Sequence, residues 1–488
     1  SCQRAAQALF YGYLNAVQSS RQLERRRNSM MSCDNSICLS RWDGIAGVDQ
    51  VSTPAAPSHE GGVVTITLTI NERQYQRPCG VPVVGVCIDG SQPEADGQPG
   101  YIEEAIKAGV APFFERLMKS GTSRIAKCAM PSFTNPNNLS IATGHPPAYH
   151  GIAGNYFYDR DCDEEVMMND PGFLRAGTIF RGLQQAGAKV CVITAKDKLR
   201  LLLGDGLDMS SGSAICFSAE RADQVSAKEH GIEDVLALAK MPLPDVYSTE
   251  LSEFVLASGV AIMRRERPDL MYLSTTDYLQ HKVAAGSDEA NEFYSMMDRY
   301  LGELDEMGCV LAITADHGMS AKHDAKGRPQ IAYLQSLVED WIGERGVRVI
   351  LPITDPYVAH HGALGSFATI HIENASDRPT VKDKLSRTPG IMKVYTSEEA
   401  CDLFQLPADR IGDLVVVSDR DMTLGTRADR HDLSQLNGPL RSHGGLTEQS
   451  VPFLVNRAVD FGPERPLYNY DLFEVALNHT LDETVVAE

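Results

Sequence analysis

The sequence predicts an α/β fold with a mostly parallel central sheet, helices on both faces of that sheet, and a smaller inserted cap domain. Short apolar runs alternate with longer amphipathic stretches over most of the 488 residues. The apolar runs are nearly continuous and rich in β-branched residues, which is typical of strands buried on both faces. Regular alternation of strands with helices indicates parallel strands joined by crossover helices.

The elements of this sheet follow one another along the chain. VVTITLTIN, which begins at Val63, alternates apolar and polar residues and predicts an edge strand. Four buried strands are expected at 81–89, 189–195, 269–275 and 309–316. Helices are expected between them at 101–121, 250–267 and 289–308. In sheets of this kind, ligands bind beyond the carboxyl ends of the strands.

Composition divides the chain into three parts. Residues 1–60 contain the basic tract RQLERRR and a stretch rich in Pro, Ala and Ser, and they predict a poorly ordered N-terminal extension. The α/β core is predicted at 61–325 and 441–488, because GPLRSHGGLTEQSVPFLVN restores the strand pattern near the end. The alternation loosens over 326–440, which we interpret as the cap domain.

Charge and cysteine content limit the binding partners and the cellular compartment that we expect for the protein. The formal net charge of −20 argues against nucleic acid or an anionic membrane as the main partner, because both require a basic surface. It leaves room for a small anionic substrate in one positive cleft. The sequence contains no run of about 18 apolar residues, the length that would predict a membrane span. Several of the 11 cysteines lie in predicted buried strands, which favours free thiols and a cytoplasmic location.

Aspartate and histidine follow the carboxyl ends of several predicted strands. One such residue alone means little, because a strand-end aspartate usually caps a helix and a single histidine is usually structural. The ordered set is specific, because the carboxyl ends of parallel strands meet in one crevice. Aspartate and histidine together suit zinc and its borderline neighbours. The predicted metal ligands are Asp89, Asp277, His281, Asp316, His317 and His443.

The predicted nucleophile is Thr134 in MPSFTNPNNLSIATG. Thr, Asn and Pro in succession open a predicted helix, and the free amides of a helix N-terminus attract anions. A hydroxyl becomes a good nucleophile when a metal ion lowers its pKa. An N-capping role for Thr134 is the alternative, and the two roles are compatible because a cap also presents its hydroxyl outward.

These motifs resemble the alkaline phosphatase superfamily, in its nucleotide pyrophosphatase/phosphodiesterase-like branch. Within that branch, long segments resemble the phosphonoacetate hydrolase family. Those segments are PSFTNPNNLSIATG, HGIAGNYFYD, EEVMMNDPGFLRAGTIF, VITAKDKLR, DLMYLSTTDYLQHK, ITADHGM and ILPITDPYVAHHGALGSFAT. The resemblance covers about residues 63–480 and implies an alkaline phosphatase-like sandwich fold. The segment ADGQPG at 95–100 looks like an insertion, and residues 1–60 lack a counterpart.

The resemblance also implies a cofactor, a substrate and roles for the site residues. It implies two Zn²⁺ per subunit, with iron or manganese as alternatives, and a homodimer. One ion would be bound by Asp89, Thr134, Asp316 and His317, and the other by Asp277, His281 and His443. Thr134 would attack phosphorus, and Asn155 would hold a phosphonate oxygen. Asp277, His281 and His443 would also line the substrate site.

Cleavage of a phosphorus–carbon bond needs a stabilised carbanion as the leaving group. In phosphonoacetate the neighbouring carboxylate accepts that charge as an enediolate, so cations on the carboxylate would stabilise the transition state. Lys196 and Lys198 follow a predicted strand end and are the best candidates, although a lysine pair on a loop can simply be solvated. His360 and His361 are a weaker option. The expected reaction hydrolyses phosphonoacetate to acetate and phosphate through a phosphothreonine.

Two alternatives remain at this point. A phosphodiesterase or phosphomonoesterase of the same superfamily would use the same metal ligands. A non-catalytic binding protein would be expected to lack a ligand or the nucleophile, and all seven positions are filled by suitable residues.

Overall fold

A computed structural model of the protein describes residues 66–353 and 364–480, apart from 435, 437, 463 and 464. The predicted N-terminal extension at 1–60 lies outside the described residues, as do His360 and His361.

The central sheet has seven strands and confirms the predicted fold class. Its spatial order is β4-β19-β10-β3-β9-β7-β8. The five strands from β10 to β8 pair in parallel, whereas β19 and β4 are antiparallel additions at one edge. In chain order the strands are β3 (Val83–Cys87), β4 (Thr122–Lys127), β7 (Val190–Thr194), β8 (Ala214–Ser218), β9 (Leu270–Ser274), β10 (Val310–Thr314) and β19 (Ser450–Val455).

Alternate residues of the parallel strands enter two separate cores, one on each face of the sheet. In β3, Val84 and Val86 pack on one face while Val83 and Cys87 pack on the other. The first core is covered by α1 (Tyr101–Lys107), α2 (Pro112–Ser120), α9 (Glu250–Glu266) and α10 (Asp288–Glu306). The second is covered by α3 (Thr134–Thr143), α5 (Ile179–Gln185), α6 (Asp197–Leu203) and α14 (Leu472–Asn478). Burial on both faces explains why the strands are nearly continuously apolar.

A second, antiparallel sheet of four strands lies within 326–440, the range predicted as a cap. Its spatial order is β13-β14-β16-β15. These strands are β13 (Val347–Ile350), β14 (Phe367–Ile372), β15 (Ile391–Thr396) and β16 (Leu414–Ser418). Three helices accompany it: α11 (Leu334–Ile342), α12 (Arg378–Ser386) and α13 (Ser397–Phe404). The sheet has its own apolar cluster, which includes Val349, Ile370 and Val416.

The remaining elements are short. The two-residue and three-residue strands are β11 (Ser320–Ala321), β12 (Ile331–Tyr333), β17 (Thr423–Gly425) and β18 (Arg441–Ser442). Two hairpins consist of β1 (Thr67–Ile70), β2 (Arg73–Gln76), β5 (Tyr156–Asp159) and β6 (Glu164–Met167). The short helices are α4 (Pro147–His150), α7 (Ala227–His230) and α8 (Val235–Ala239). Among the described residues, no helix combines the length and apolarity needed to cross a bilayer.

Several elements differ from the sequence-based prediction. The edge strand expected at VVTITLTIN is described over Thr67–Ile70, where it pairs with β2 in a separate two-stranded hairpin. The single helix expected at 101–121 is two helices, because Gly109 adopts a positive φ and Pro112 starts a new helix. Strands β4 and β8 were not predicted. The apparent insertion at 95–100 forms a tight turn in which Ala95 pairs with Gln98, with Asp96 and Gly97 at positive φ.

Candidate active site

Three neighbouring strands of the central sheet direct carboxylates to the same place. Asp89 lies two residues after β3, Asp277 lies three residues after β9, and Asp316 lies two residues after β10. The turn after Asp89 requires glycine, because Gly90 has a φ of +72° and a Cβ there would lie 2.9 Å from Cβ of Asp277. Its N–H donates to Asp316 at 3.2 Å. The backbone thus brings the three acidic side chains together.

The first cluster of side chains that could hold a metal ion consists of Asp89, Asp316 and His317, all buried. One ligand atom from each lies within 4.8 Å of the others. Asp89 Oδ1 is buried without a hydrogen-bond donor, although His317 Nε2 is 3.2 Å away. His317 Nδ1 donates to the Gly318 carbonyl at 2.9 Å, so Nε2 is the ring nitrogen that faces Asp89. A cation between Nε2 and Asp89 Oδ1, either a proton or a metal ion, would hold these two atoms together.

The second cluster consists of Asp277, His281 and His443, which also offer three ligand atoms within 4.8 Å of one another. Asp277 Oδ2 lies 2.9 Å from Nε2 of His281 and 3.6 Å from Nε2 of His443. The His443 ring stacks on the His317 ring of the first cluster with a centroid distance of 3.6 Å. The two clusters are therefore adjacent parts of one site.

Backbone carbonyls orient all three histidines in the same way. Nδ1 of His281 pairs with the Arg441 carbonyl at 2.9 Å, and Nδ1 of His443 pairs with the Ser132 carbonyl at 2.8 Å. His317 makes the equivalent bond to Gly318. Donation from Nδ1 leaves Nε2 as the electron-pair donor in each ring, which is the usual arrangement of a metal-ligating histidine.

The electrostatics of the site favour bound positive charge. Burial, and then repulsion from Asp277 and Asp316, raises the pKa of Asp89 well above its usual range. Burial opposes the charge of Asp277, but His281, His443 and His317 together more than offset it, and the pKa of Asp277 is lowered. Burial likewise opposes a charge on His317, yet Asp316 and Asp89 raise the pKa of His317 to about 10. The carboxylates thus strongly stabilise a neighbouring cation.

Thr134 occupies the first position of α3 and points toward the first cluster. Its Oγ1 lies 3.3 Å from Nε2 of His317. The N-cap position belongs to Phe133, and no side chain caps the helix there. The predicted capping role of Thr134 is therefore absent, and its hydroxyl remains directed at His317. The ten-residue helix presents its positive N-terminal end at the same point.

Asn138 is a site residue that the sequence interpretation missed. Its Nδ2 donates to the Thr134 carbonyl at 3.0 Å and to Asp316 Oδ2 at 3.2 Å. Its Oδ1 accepts from the Tyr272 hydroxyl at 2.8 Å and from the Ser274 hydroxyl at 2.9 Å. The amide thus links the helix of Thr134 to a ligand of the first cluster. The four-residue spacing from Thr134, one helical turn, was the available signal.

The two predicted substrate lysines differ in their surroundings. Lys196 precedes α6, and its ammonium group donates to the Val246 carbonyl at 3.1 Å and lies 5.3 Å from the centre of the Tyr247 ring. Burial lowers the pKa of Lys196, while nearby carboxylates that include Asp277 act in the opposite direction. Lys198 is exposed on the first turn of α6. The ammonium group of Lys196 therefore lies close enough to Asp277 to interact with its charge.

Asn155 hydrogen-bonds to the backbone of two residues, Pro352 and Ile353. Its Nδ2 donates to the carbonyl of Ile353, and its backbone N–H donates to Pro352 at 2.7 Å. Within the described part of the chain, no hydrogen bond joins it to Thr134. Contact between Asn155 and a phosphonate oxygen stays a prediction.

The chain is similar in sequence to a known protein family. Residues 83–446 match the family model of type I phosphodiesterase / nucleotide pyrophosphatase. The chain belongs to this family. The matched range includes all seven predicted metal-binding and nucleophilic positions.

Solved structures give a narrower likeness. Phosphonoacetate hydrolase from Sinorhizobium meliloti 1021, crystallised with phosphonoformate and with phosphonoacetate, superposes with a TM-score of 0.82 in each case. The two chains share 54% sequence identity, over 85% of this chain and 99% of that one. Murine ectonucleotide pyrophosphatase / phosphodiesterase 5 is 19% identical, with a TM-score of 0.54 over 82% of this chain and 95% of its own. That second likeness concerns the fold alone.

A curated protein gives a short match. Phosphonoacetate hydrolase of Penicillium oxalicum is 66% identical over 32 residues, which are 6% of this chain. The match spans 44% of the length of that protein.

Proposed function

We propose that the protein hydrolyses the phosphorus–carbon bond of phosphonoacetate to give acetate and phosphate. The observation that carries this proposal is the 54% identity, over 85% of the chain, to a phosphonoacetate hydrolase crystallised with phosphonoacetate. The convergence of six metal-binding side chains beside a threonine hydroxyl supports the same chemistry.

The site fits two divalent cations, and we propose zinc because the ligands are histidine and aspartate. Asp89, Thr134, Asp316 and His317 would hold one ion, and Asp277, His281 and His443 would hold the other. When bound, the ions would lower the pKa of the Thr134 hydroxyl and of a water molecule and would neutralise phosphonate oxygens.

Thr134 is the proposed nucleophile. Its hydroxyl gives its proton to water, and the oxygen forms a bond to phosphorus while the phosphorus–carbon bond breaks, so that the bonding electrons pass to the carbon and its carboxylate as an enediolate. The enediolate takes a proton from water and leaves as acetate. Water then attacks the phosphothreonine, releases phosphate and restores the threonine hydroxyl. Asn138 keeps the Thr134 end of α3 in register with Asp316 through this cycle.

Lys196 is proposed to bind the substrate carboxylate. A cation there stabilises the enediolate more than the ground-state carboxylate, because negative charge increases on that group as the carbon leaves. Lys198 is proposed as a weaker contributor, since its side chain is exposed.

Product analysis tests the proposal. The protein is incubated with phosphonoacetate, with p-nitrophenyl phosphate and with bis(p-nitrophenyl) phosphate, and acetate, phosphate and p-nitrophenol are quantified. The proposal predicts equal amounts of acetate and phosphate from phosphonoacetate at a higher kcat/KM than for either ester. Faster cleavage of the esters, with no acetate from phosphonoacetate, would contradict it.

The second candidate is hydrolysis of a phosphate ester. The family model, which describes phosphodiesterases and nucleotide pyrophosphatases, favours this alternative. The same assay separates the two candidates, because only phosphonoacetate yields acetate.

Two further features concern the assembly and the location of the protein. We propose a homodimer by analogy with the family. We also propose a cytoplasmic location, because Cys87, Cys128, Cys191, Cys216 and Cys309 are free thiols.

A further inference from the structure

A buried ion pair joins two residues that follow His317 and His443 by five residues each. Lys322 Nζ is 3.0 Å from Glu448 Oε1, and both side chains are 0% exposed. The ammonium group also donates to the Arg420 carbonyl at 2.7 Å. Arg420 lies in the turn between β16 and β17, which belongs to the region predicted as the cap.

Glu448 contacts the loops that carry His317 and His443. Its carboxylate accepts the N–H of Gly445, two residues after His443, at 3.0 Å. Its backbone carbonyl accepts the N–H of Gly318, the residue after His317, at 2.8 Å. One residue therefore holds a histidine-bearing loop of each cluster.

The strands next to the pair link the same loops. Ser320 and Ser442 pair across the short β11–β18 ladder. The Lys322 N–H donates to the Leu440 carbonyl at 2.8 Å. The Lys322–Glu448 pair and these backbone bonds thus link the loop of His317 to the loop of His443.

Energetics suggest a role other than stability. Two charges lose their hydration when they are buried, and apolar residues of similar volume often stabilise a fold equally well or better. A charged pair at 0% exposure is explained more readily if its directional bonds fix a geometry. Glu448 also accepts the Thr447 hydroxyl at 2.6 Å, so its carboxylate is held from several directions.

We propose that Lys322 and Glu448 are positioning residues that set the distance between the two metal sites. The pair does so by holding the loops of His317 and His443 against each other and against the turn at Arg420. This inference rests on the proposed two-zinc function.

The test compares Lys322→Met with the double variant Lys322→Met/Glu448→Met. The single variant leaves a buried carboxylate unpaired and should lower Tm, whereas the double variant removes both charges and should recover most of that loss. Zn²⁺ affinity, measured by competition with a chromogenic chelator, should stay about 10- to 100-fold weaker in the double variant. The visible spectrum of the Co²⁺-loaded protein should change as well, since it reports ligand geometry.

Two further variants serve as rescue and control. Glu448→Gln keeps an oxygen for the Gly445 N–H and should bind Zn²⁺ more tightly than Glu448→Met. If the double methionine variant does not fold, Lys322→Met/Glu448→Gln takes its place. The control is Lys189→Met/Glu266→Met, which removes a 2.7 Å ion pair next to the amino end of β7, with side chains 29% and 31% exposed, and should leave Zn²⁺ affinity unchanged.

The outcomes separate this inference from the proposed function. Recovery of both Tm and wild-type Zn²⁺ affinity in the double variant would overturn the positioning role while leaving the two-zinc site intact. Wild-type protein that binds no Zn²⁺ would overturn the proposed function and the inference with it. Weaker Zn²⁺ binding and an altered Co²⁺ spectrum in a variant with recovered Tm would support both.

Discussion

Replacement of Asn138 by leucine tests how Thr134, the proposed nucleophile, and the first cluster are held together. Leucine has a similar size but lacks both the donor and the acceptor of the amide. The substitution removes four hydrogen bonds, to the Thr134 carbonyl, Asp316, Tyr272 and Ser274. All four positions on the Asn138 amide are used in the wild-type protein, so the loss is complete.

The expected loss of stability follows from the polar groups that Asn138→Leu leaves without hydrogen-bond partners. The hydroxyls of Tyr272 and Ser274 are buried, and each unsatisfied buried group costs about 1–3 kcal/mol. We expect Asn138→Leu to lower the free energy of unfolding by about 2–6 kcal/mol. Adding Tyr272→Phe and Ser274→Ala should recover most of this, because apolar replacement of both partners is nearly neutral.

Activity should behave differently from stability. Asp316 stays without its amide donor in the triple variant, so Zn²⁺ affinity and kcat/KM should remain about 10- to 100-fold below wild type. Urea unfolding gives the stability, and phosphate release from phosphonoacetate gives the activity. A triple variant that regains wild-type activity together with stability would refute the positioning role of Asn138.

Three further predictions concern the nucleophile, the lysines and pH. Thr134→Ala should reduce the rate of phosphate release at least about 1000-fold, which is about 4 kcal/mol in the activation barrier. Its Tm should not change, because the Thr134 side chain caps no helix. A fully active variant would exclude Thr134 as the nucleophile. Lys196→Met should reduce kcat/KM for phosphonoacetate more than for p-nitrophenyl phosphate and more than Lys198→Met does; equal losses would argue against a carboxylate contact. Burial lowers the pKa of His150 to about 3 and that of His371 to about 4. The unfolded chain therefore binds protons first, and stability is lost as pH falls below about 6.5, by about 1.4 kcal/mol per pH unit for each histidine; His371→Gln should reduce this slope in urea titrations.

Much of the candidate site was readable from the sequence because its predicted ligands follow strand ends. Asp89, Asp277 and Asp316 come directly after apolar runs, and parallel topology alone brings such positions together. Histidine beside Asp316 and four residues after Asp277 would supply two nitrogen ligands, and His443 comes from the separate segment RSHGG. The structure brings together all six predicted metal-binding side chains and places Thr134 beside them.

Other parts of the site depend on tertiary contacts that no local pattern reveals. Lys322 and Glu448 are 126 residues apart, and nothing near either one indicates a buried ion pair. The K-x-K spacing suggested that Lys196 and Lys198 act together, but the start of α6 falls between them and leaves Lys198 exposed. The break at Gly109 and Pro112 was readable in principle, since both residues interrupt helices.

Reconstitution of metal-stripped protein tests the central claim most directly. Chelator-treated protein is titrated with Zn²⁺ while acetate and phosphate release from phosphonoacetate is measured. We expect no release before zinc is added, and equal release of both products that saturates at two Zn²⁺ per chain. Full activity in protein shown to contain no metal, or phosphate release without acetate, would contradict it.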